Sequence, residues 1–276
     1  MKIIRAVKIA KVVADLCVKA NCVLRSDVLR KLKEALRKEK NPRAKNALKA
    51  IVENARIAQK EDLAICQDTG LPIVFAELGR DLRIIGDLKQ AIIKGVEAGY
   101  CKGNFRESII RDPLKRGRSV YRGAIIHLDV VRGSKLKITL LPRGFGCENK
   151  SRLKMFNPTA GFAEIKQFIV DTVREAGADA CPPYVVGVGI GGTADYAGLL
   201  AKKALLRSGV SSKKTVSVLE KELLFEINKL GIGPMGLGGK ATCLKVNIRT
   251  FPTHIAGLPV AVNISCHALR SAGATL

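Results

Sequence analysis

Tryptophan is absent from this 276-residue chain, and aromatic residues make up only 4% of it. Its core must therefore be aliphatic. Stacking platforms for single-stranded nucleic acid are nearly missing, and no RNP signature is present. None of the eight cysteines forms a CxxC pair, and no Cys/His group has zinc-finger spacing. No run approaches the roughly 20 apolar residues of a membrane span. At the amino terminus, Lys8, Lys11 and Asp15 interrupt MKIIRAVKIAKVVADLCVKAN, and no signal-peptide apolar region or cleavage site follows. A cytoplasmic, non-membrane protein is expected, in which disulfides would be out of place. Acidic residues are also scarce: 24 Asp and Glu against 48 Lys and Arg give a net charge of +24. Such a surface suits an acidic partner, acidic small molecules or nucleic acid.

Apolar residues account for 47% of the chain, enough for a real core and too many for disorder. Residues 1–60 read as helices. Ile3, Ile4, Val7, Ala10, Val13 and Leu16 recur near a 3.6-residue period. Ser26 can cap a second helix ending before Pro42, and a third runs from about Lys45 to Lys60. Strand-like and helical runs alternate over 61–276. PIVFAEL reads as a strand and DLKQAIIKGVEAG as a helix. GAIIHLDVV and KLKITLLP read as strands joined by RGS in a hairpin, followed by the loop RGFGCENKS. Asn157 and Pro158 signal a helix start and Gly177 its end. CPPYVVGVGIGG is an apolar strand running into a glycine-rich loop, with Thr193 as the next cap. Ser217 and Glu220 spell a capping box, and LKVNIRTF and PVAVNIS are two further strands. The expected class is mixed α/β (α+β): one catalytic domain over 1–276, with a helical part (1–60) and an interleaved part (61–276) around mixed sheets.

Three cysteines stand out by setting. Cys66 precedes Gln-Asp-Thr-Gly, Cys181 precedes Pro-Pro, and Cys266 follows a strand and precedes His-Ala-Leu-Arg. Cys17, Cys22 and Cys101 instead lie in helix-like or apolar runs and read as buried small residues. The long spacings leave two readings for the first three. They are unrelated buried thiols, or they hold three irons of a [4Fe–4S] cube whose fourth iron stays open. Gly187, Gly189 and Gly192 spell a dinucleotide fingerprint. The confirming acid should end the next strand about 20 residues on, where RSGVSSKKTVSV carries none before Glu220, so these glycines are better read as allowing close backbone approach. Asp68 at a turn would ordinarily form an Asx-turn. His127 alternates within a strand and reads as structural. Arg111, Lys150 and Arg270 could bind carboxylates or serve the fold.

Taken in order, ICQDTG, RGFGCENKSRL, CPPYVVGVGIGGT, GLGGKAT and PTH…SCHALRSA resemble the iron–sulfur class I fumarate hydratases, and more narrowly the α subunit of the two-subunit fumarase and L-tartrate dehydratase group. The match covers roughly residues 60–276. It implies a hydro-lyase converting fumarate and L-malate, or alternatively acting on L-tartrate, with a [4Fe–4S] cluster that keeps one open iron. It implies Cys66, Cys181 and Cys266 as cluster ligands. Gln67, Asp68, Arg106 and Gly146 would contact a dicarboxylate, and Asp68 and His254 would be catalytic, with Asp68 protonating the departing hydroxyl. Cys147 departs from the small or hydroxyl residue expected there. The chain stops before the region that supplies the base in single-chain relatives. The resemblance thus implies a separate β subunit, an α2β2 assembly, and an inactive isolated α chain. A place in the tricarboxylic acid cycle follows from the fumarase reading. The contrasting reading is a basic nucleic-acid-binding protein with structural cysteines.

Overall fold

The computed structural model describes residues 2–209 and 211–276. The amino-terminal stretch holds β1 (Lys2–Arg5), α1 (Ala6–Cys22), α2 (Ser26–Lys38) and α3 (Pro42–Lys60). Next come β2 (Leu71–Gly79), β3 (Leu82–Ile85), α4 (Leu88–Lys102), β4 (Ile109–Asp112), β5 (Arg116–Val120), β6 (Ile125–Val131) and β7 (Leu136–Arg143). A single turn, α5 (Phe145–Glu148), leads to β8 (Arg152–Phe156), α6 (Phe162–Ala176), β9 (Tyr184–Gly192), α7 (Ala194–Leu205) and α8 (Lys214–Lys229). A 3-10 turn at Pro234–Gly236 precedes β10 (Cys243–Thr253), β11 (Leu258–Ser265) and β12 (Ala272–Thr275). The class is mixed α/β, as its interleaved runs suggest. No described helix is long and apolar enough to cross a membrane.

Contacts divide the chain into two compact units. One comprises Met1–Arg25, Asn54–Phe145 and Arg270–Leu276, and the other Ser26–Glu53 and Gly146–Leu269. The helices of the first sixty residues are thus shared between the units.

In the first unit, a four-stranded sheet runs β12-β7-β2-β6. The expected hairpin between β6 and β7 does not form. β2 lies between them, parallel to β6 and antiparallel to β7. PIVFA is buried along its length, as a central strand should be, and so takes the middle place. The RGS turn is held by the end of β2 instead: the amides of Arg80 and Asp81 donate to the carbonyls of Val131 (2.9 Å) and Gly133 (3.0 Å). Lys2–Arg5, read as helix from its period, is a strand parallel to β3. Ile4 is buried while Ile3 is exposed, an alternation that belongs to a strand. Asp87 caps α4 by accepting from the Gln90 amide at 3.0 Å. The core joins α1, α4 and one sheet face through Ile9, Val13, Ile92, Val96, Val74 and Leu140.

In the second unit the sheet runs β10-β9-β11-β8, with β10 parallel and β11 antiparallel to β9. The fingerprint-like glycines act here. A Cβ on Gly187 would sit 2.3 Å from the Ala201 carbonyl oxygen, and one on Gly189 would sit 2.0 Å from that of Ala197. They let α7 lie directly on β9. Two start signals are overridden. Asn157 does not cap α6. Its carbonyl accepts from Ala160 in a turn, and the helix begins after Gly161, whose amide donates to Glu164. Ser217 and Glu220 lie inside α8, which starts at Lys214. Glu220 is buried, accepting from the Ile248 amide at 2.7 Å and from the Arg207 guanidinium. Thr193 stands at the N-cap of α7, but its hydroxyl pairs with Asp195 at 2.6 Å.

Candidate active site

Every residue of ICQDTG precedes β2 in the first unit, and its backbone is held on several sides. The Ile65 amide donates to the Asn21 carbonyl at 2.9 Å, and the Asn54 side chain donates to the Ile65 carbonyl at 2.9 Å. Arg270 Nη2 donates to the Asp68 carbonyl at 2.6 Å, and the Tyr100 hydroxyl donates to the Thr69 carbonyl at 2.8 Å. Burial raises the Tyr100 phenol well above its ordinary range, so it remains a donor. Asp68 is half-buried. Its Oδ1 accepts from the Gly70 amide at 3.1 Å, the expected Asx-turn, and its Oδ2 accepts from the Phe145 amide at 2.8 Å. One lone pair on each oxygen is thus engaged, leaving the carboxylate oriented with acceptor capacity to spare.

Gly144 makes this approach possible. A Cβ there would sit 3.1 Å from Asp68 Oδ2. At Gly146, the position that the family resemblance implies, a Cβ would meet no described atom within 4 Å. Cys66 is half-buried, with its sulfur 3.6 Å from Gln67 Oε1, and Gln67 is exposed. Arg106 is exposed too, and its main chain is tied to the same loop, its carbonyl accepting from the Thr69 hydroxyl at 3.2 Å. Buried Phe105, edge-on to Tyr100 at 5.5 Å, anchors that segment. The first unit thus gathers Cys66, Gln67, Asp68 and the Arg106 backbone around one turn.

In the second unit Cys181 precedes β9 and Cys266 follows β11. Cys181 takes a left-handed backbone conformation, φ 56°. The His267 amide donates to the Cys181 carbonyl at 3.3 Å, and His267 Nδ1 lies 3.1 Å from the same oxygen. Cys147, buried, links both loops: its sulfur accepts from the Cys266 amide at 3.1 Å and donates to the Ala180 carbonyl at 3.6 Å. A hydroxyl could make the same two bonds, which explains how a thiol serves where a hydroxyl residue was expected. The glycine-rich loop joins this end through the Met235 amide, which donates to the Pro182 carbonyl at 2.8 Å. That loop is held from below by Glu39, whose Oε2 accepts from the Lys240 amide at 2.8 Å. Glu39 is buried, and no sequence signal marked it.

His254 lies elsewhere. It sits on the exposed β10–β11 turn, with Nδ1 accepting from the Ala256 amide at 3.2 Å. Cys266 is at the far end of β11, and a strand of that length spans about 25 Å. Within this unit the structure does not bring His254 to the thiol end. His127 stacks on Phe75 at 5.2 Å. Lys150 pairs with Asp179 at 2.8 Å and holds that carboxyl below its ordinary range. Cys101, expected inside, is exposed, whereas Cys17 and Cys22 are buried. Burial pushes the thiols of Cys17 and Cys243 up to about 12.

Within either unit by itself, no three described His, Cys, Asp or Glu side chains gather as a metal-binding group. The three loop cysteines are divided between the units. Their chemistry fits an iron–sulfur cluster: half-buried thiols at element edges, unlike core thiols such as Cys17 and Cys243.

Comparison with known proteins is consistent along the whole chain. A 274-residue alignment, covering 96% of each chain, is 43% identical to a Methanocaldococcus jannaschii protein named "Putative L(+)-tartrate dehydratase subunit alpha". "L(+)-tartrate dehydratase subunit alpha" of Escherichia coli K12 is 28% identical over 269 residues, covering 95% of this chain and 89% of that one. The O157:H7 counterpart is 29% identical over the same span. The profile of the family described as "Fumarate hydratase (Fumerase)" matches residues 10–275. The chain belongs to this fumarate hydratase family.

Proposed function

We propose that this chain is the α subunit of an iron–sulfur hydro-lyase that removes water from a four-carbon 2-hydroxydicarboxylate, with L(+)-tartrate as the favoured substrate. The carrying observation is the doubly anchored Asp68 carboxylate on a turn shared with Cys66, Gln67 and the Arg106 backbone. The tartrate preference rests on the names of the similar proteins, at up to 43% identity. L-Malate and fumarate form the second reading, supported by the family description.

In this reading Cys66, Cys181 and Cys266 hold a [4Fe–4S] cluster. When bound, the cluster supplies a Lewis acid toward the departing hydroxyl at its open iron. Arg106 offers a planar fork for one substrate carboxylate, and Gln67 offers an amide. Gly146 leaves room for the substrate beside the main chain. Asp68 delivers a proton to the leaving hydroxyl oxygen, and a base takes the proton from the neighbouring carbon. Water is thereby lost. Malate gives fumarate, and tartrate gives the enol of oxaloacetate. The base is assigned to a β subunit, so the α chain alone is expected to be inactive. An α2β2 assembly in the cytoplasm is part of the same proposal.

The test is anaerobic co-expression with β-type partner chains, followed by assay on L(+)-tartrate, D-tartrate, L-malate and fumarate. The highest kcat/KM is expected on L(+)-tartrate. Higher kcat/KM on malate or fumarate would transfer the proposal to the second reading. Full activity from the α chain alone would overturn the two-subunit mechanism. Salt-sensitive binding to duplex DNA, without iron-dependent visible absorption after reconstitution, would favour a basic binding protein.

A further inference from the structure

Arg270 is 4% exposed, yet it donates to no carboxylate among the described residues. Its Nη1 donates to Asn21 Oδ1 at 3.2 Å and its Nη2 to the Asp68 carbonyl at 2.6 Å, while Nε has no described partner. A desolvated guanidinium is costly unless opposite charge or strong acceptors surround it. Two features supply these. Asn21 lies in the last turn of α1, where the helix presents its negative end, and is itself pinned by donating to the Cys17 carbonyl at 3.0 Å. The Asp68 carbonyl is the other. A Cβ on Gly144 would lie 3.1 Å from Asp68 Oδ2 and 3.8 Å from Arg270 Nη2, so carboxylate and guanidinium flank the same glycine.

We infer that Arg270 is a positioning residue for Asp68. It transmits the fixed end of α1 to the turn that carries the acid, and it does not bind substrate. Arg270 grips the main chain of Asp68 from inside the unit, while Phe145 and Gly70 fix the carboxylate oxygens. A fork is required because two acceptors on different segments must be met at once. Lysine at this position could reach only one of them well. This inference rests on reading Asp68 as the acid.

The experiment uses the cluster-reconstituted α/β enzyme carrying Arg270→Lys, Asn21→Ala or both, with Asp68→Asn assayed alongside. A misplacement of the acid is expected to lower kcat by roughly 30- to 300-fold in Arg270→Lys, with KM within about threefold and iron content unchanged. Asn21→Ala is expected to lower kcat by about 5- to 30-fold and to add little to Arg270→Lys, because both act through one contact. Amide exchange over Ile65–Gly70 in the isolated α chain should accelerate about tenfold in either variant, while β2 stays protected. Should Arg270→Lys fail to fold, Asn21→Ala and its exchange pattern carry the test.

A raised KM with kcat unchanged would make Arg270 a substrate ligand and overturn the inference. So would wild-type kcat in both variants, or loss of activity that tracks only melting temperature and iron content. If Asp68→Asn retains full activity, it is the reading of Asp68 as the acid that fails. If Asp68→Asn is inactive while the other two variants behave as wild type, the inference about Arg270 fails alone.

Discussion

The two sheets share one plan with different chemistry at the same end. In each, a buried central strand (β2 or β9) is flanked by a parallel strand on one side and an antiparallel strand on the other. A further antiparallel strand, β12 or β8, lies beyond the antiparallel neighbour. The resemblance extends to the loops. In the first unit the amide two residues past β7, Phe145, donates to Asp68, three residues before β2. In the second, the amide two residues past β11, His267, donates to Cys181, three residues before β9. Asp68 and Cys181 thus occupy matching places, one presenting a carboxylate and the other a thiol. The scaffold fixes where a functional loop can stand, and the loop sequence decides what it does.

The largest expected effect tests the thiol end. Cys181→Ser or Cys266→Ser should abolish the visible absorption of the reconstituted cluster, as should Cys66→Ser, while Cys17→Ser leaves it unchanged. An intact spectrum in Cys66→Ser would remove Cys66 from the proposed ligand set. Next is the carboxylate end. Asp68→Asn should lower kcat by about 10²- to 10⁴-fold, as loss of a general acid does, with cluster absorption retained. Loss of the spectrum as well would show that the two ends are not separable.

Smaller effects probe the scaffold. Gly189→Ala should destabilise the protein by about 3 kcal/mol in urea unfolding, because the new methyl would overlap the Ala197 carbonyl. No glycine of the first unit's central strand, other than Gly79 at its end, plays a comparable part, since LPIVFAEL contains none. The smallest effect concerns Cys147. Cys147→Ala should cost about 1–2 kcal/mol by removing the sulfur that accepts from the Cys266 amide, and Cys147→Ser should restore most of it. Equal stability of the alanine and serine variants would show that the sulfur contacts do not hold the two loops.

Much of the secondary structure was legible because local sequence carries it. The later part of the first helical stripe, where Val13 and Leu16 are buried, the Gly177 stop and the continuous apolar runs of β2 and β9 are local signals that packing reinforced, whereas Val7 of the same stripe is exposed. Where the reading failed, a distant partner overruled the local signal. Glu220 abandons a capping box for the Ile248 amide and Arg207. Lys2–Arg5 extends because β3 offers a parallel edge. The short β12 gives too little pattern to be recognised alone. The site divides likewise. Its cysteines and the QDTG turn are marked by residue type, but Gly144, Glu39 and Asn21 are ordinary residues whose parts depend on what folds against them.

By itself, the sequence determined the aliphatic core, the mixed class and the ordered motifs that link this chain to its family, because residue type and spacing are written along the chain. Only the tertiary structure decided that β2 separates β6 from β7, that His254 stands a strand's length from Cys266, and that Arg270 is buried beneath Asp68. The physical reason is common to all three. An apolar run reports that a segment will be buried, and a charge reports that it needs acceptors, but neither says which distant backbone will meet them.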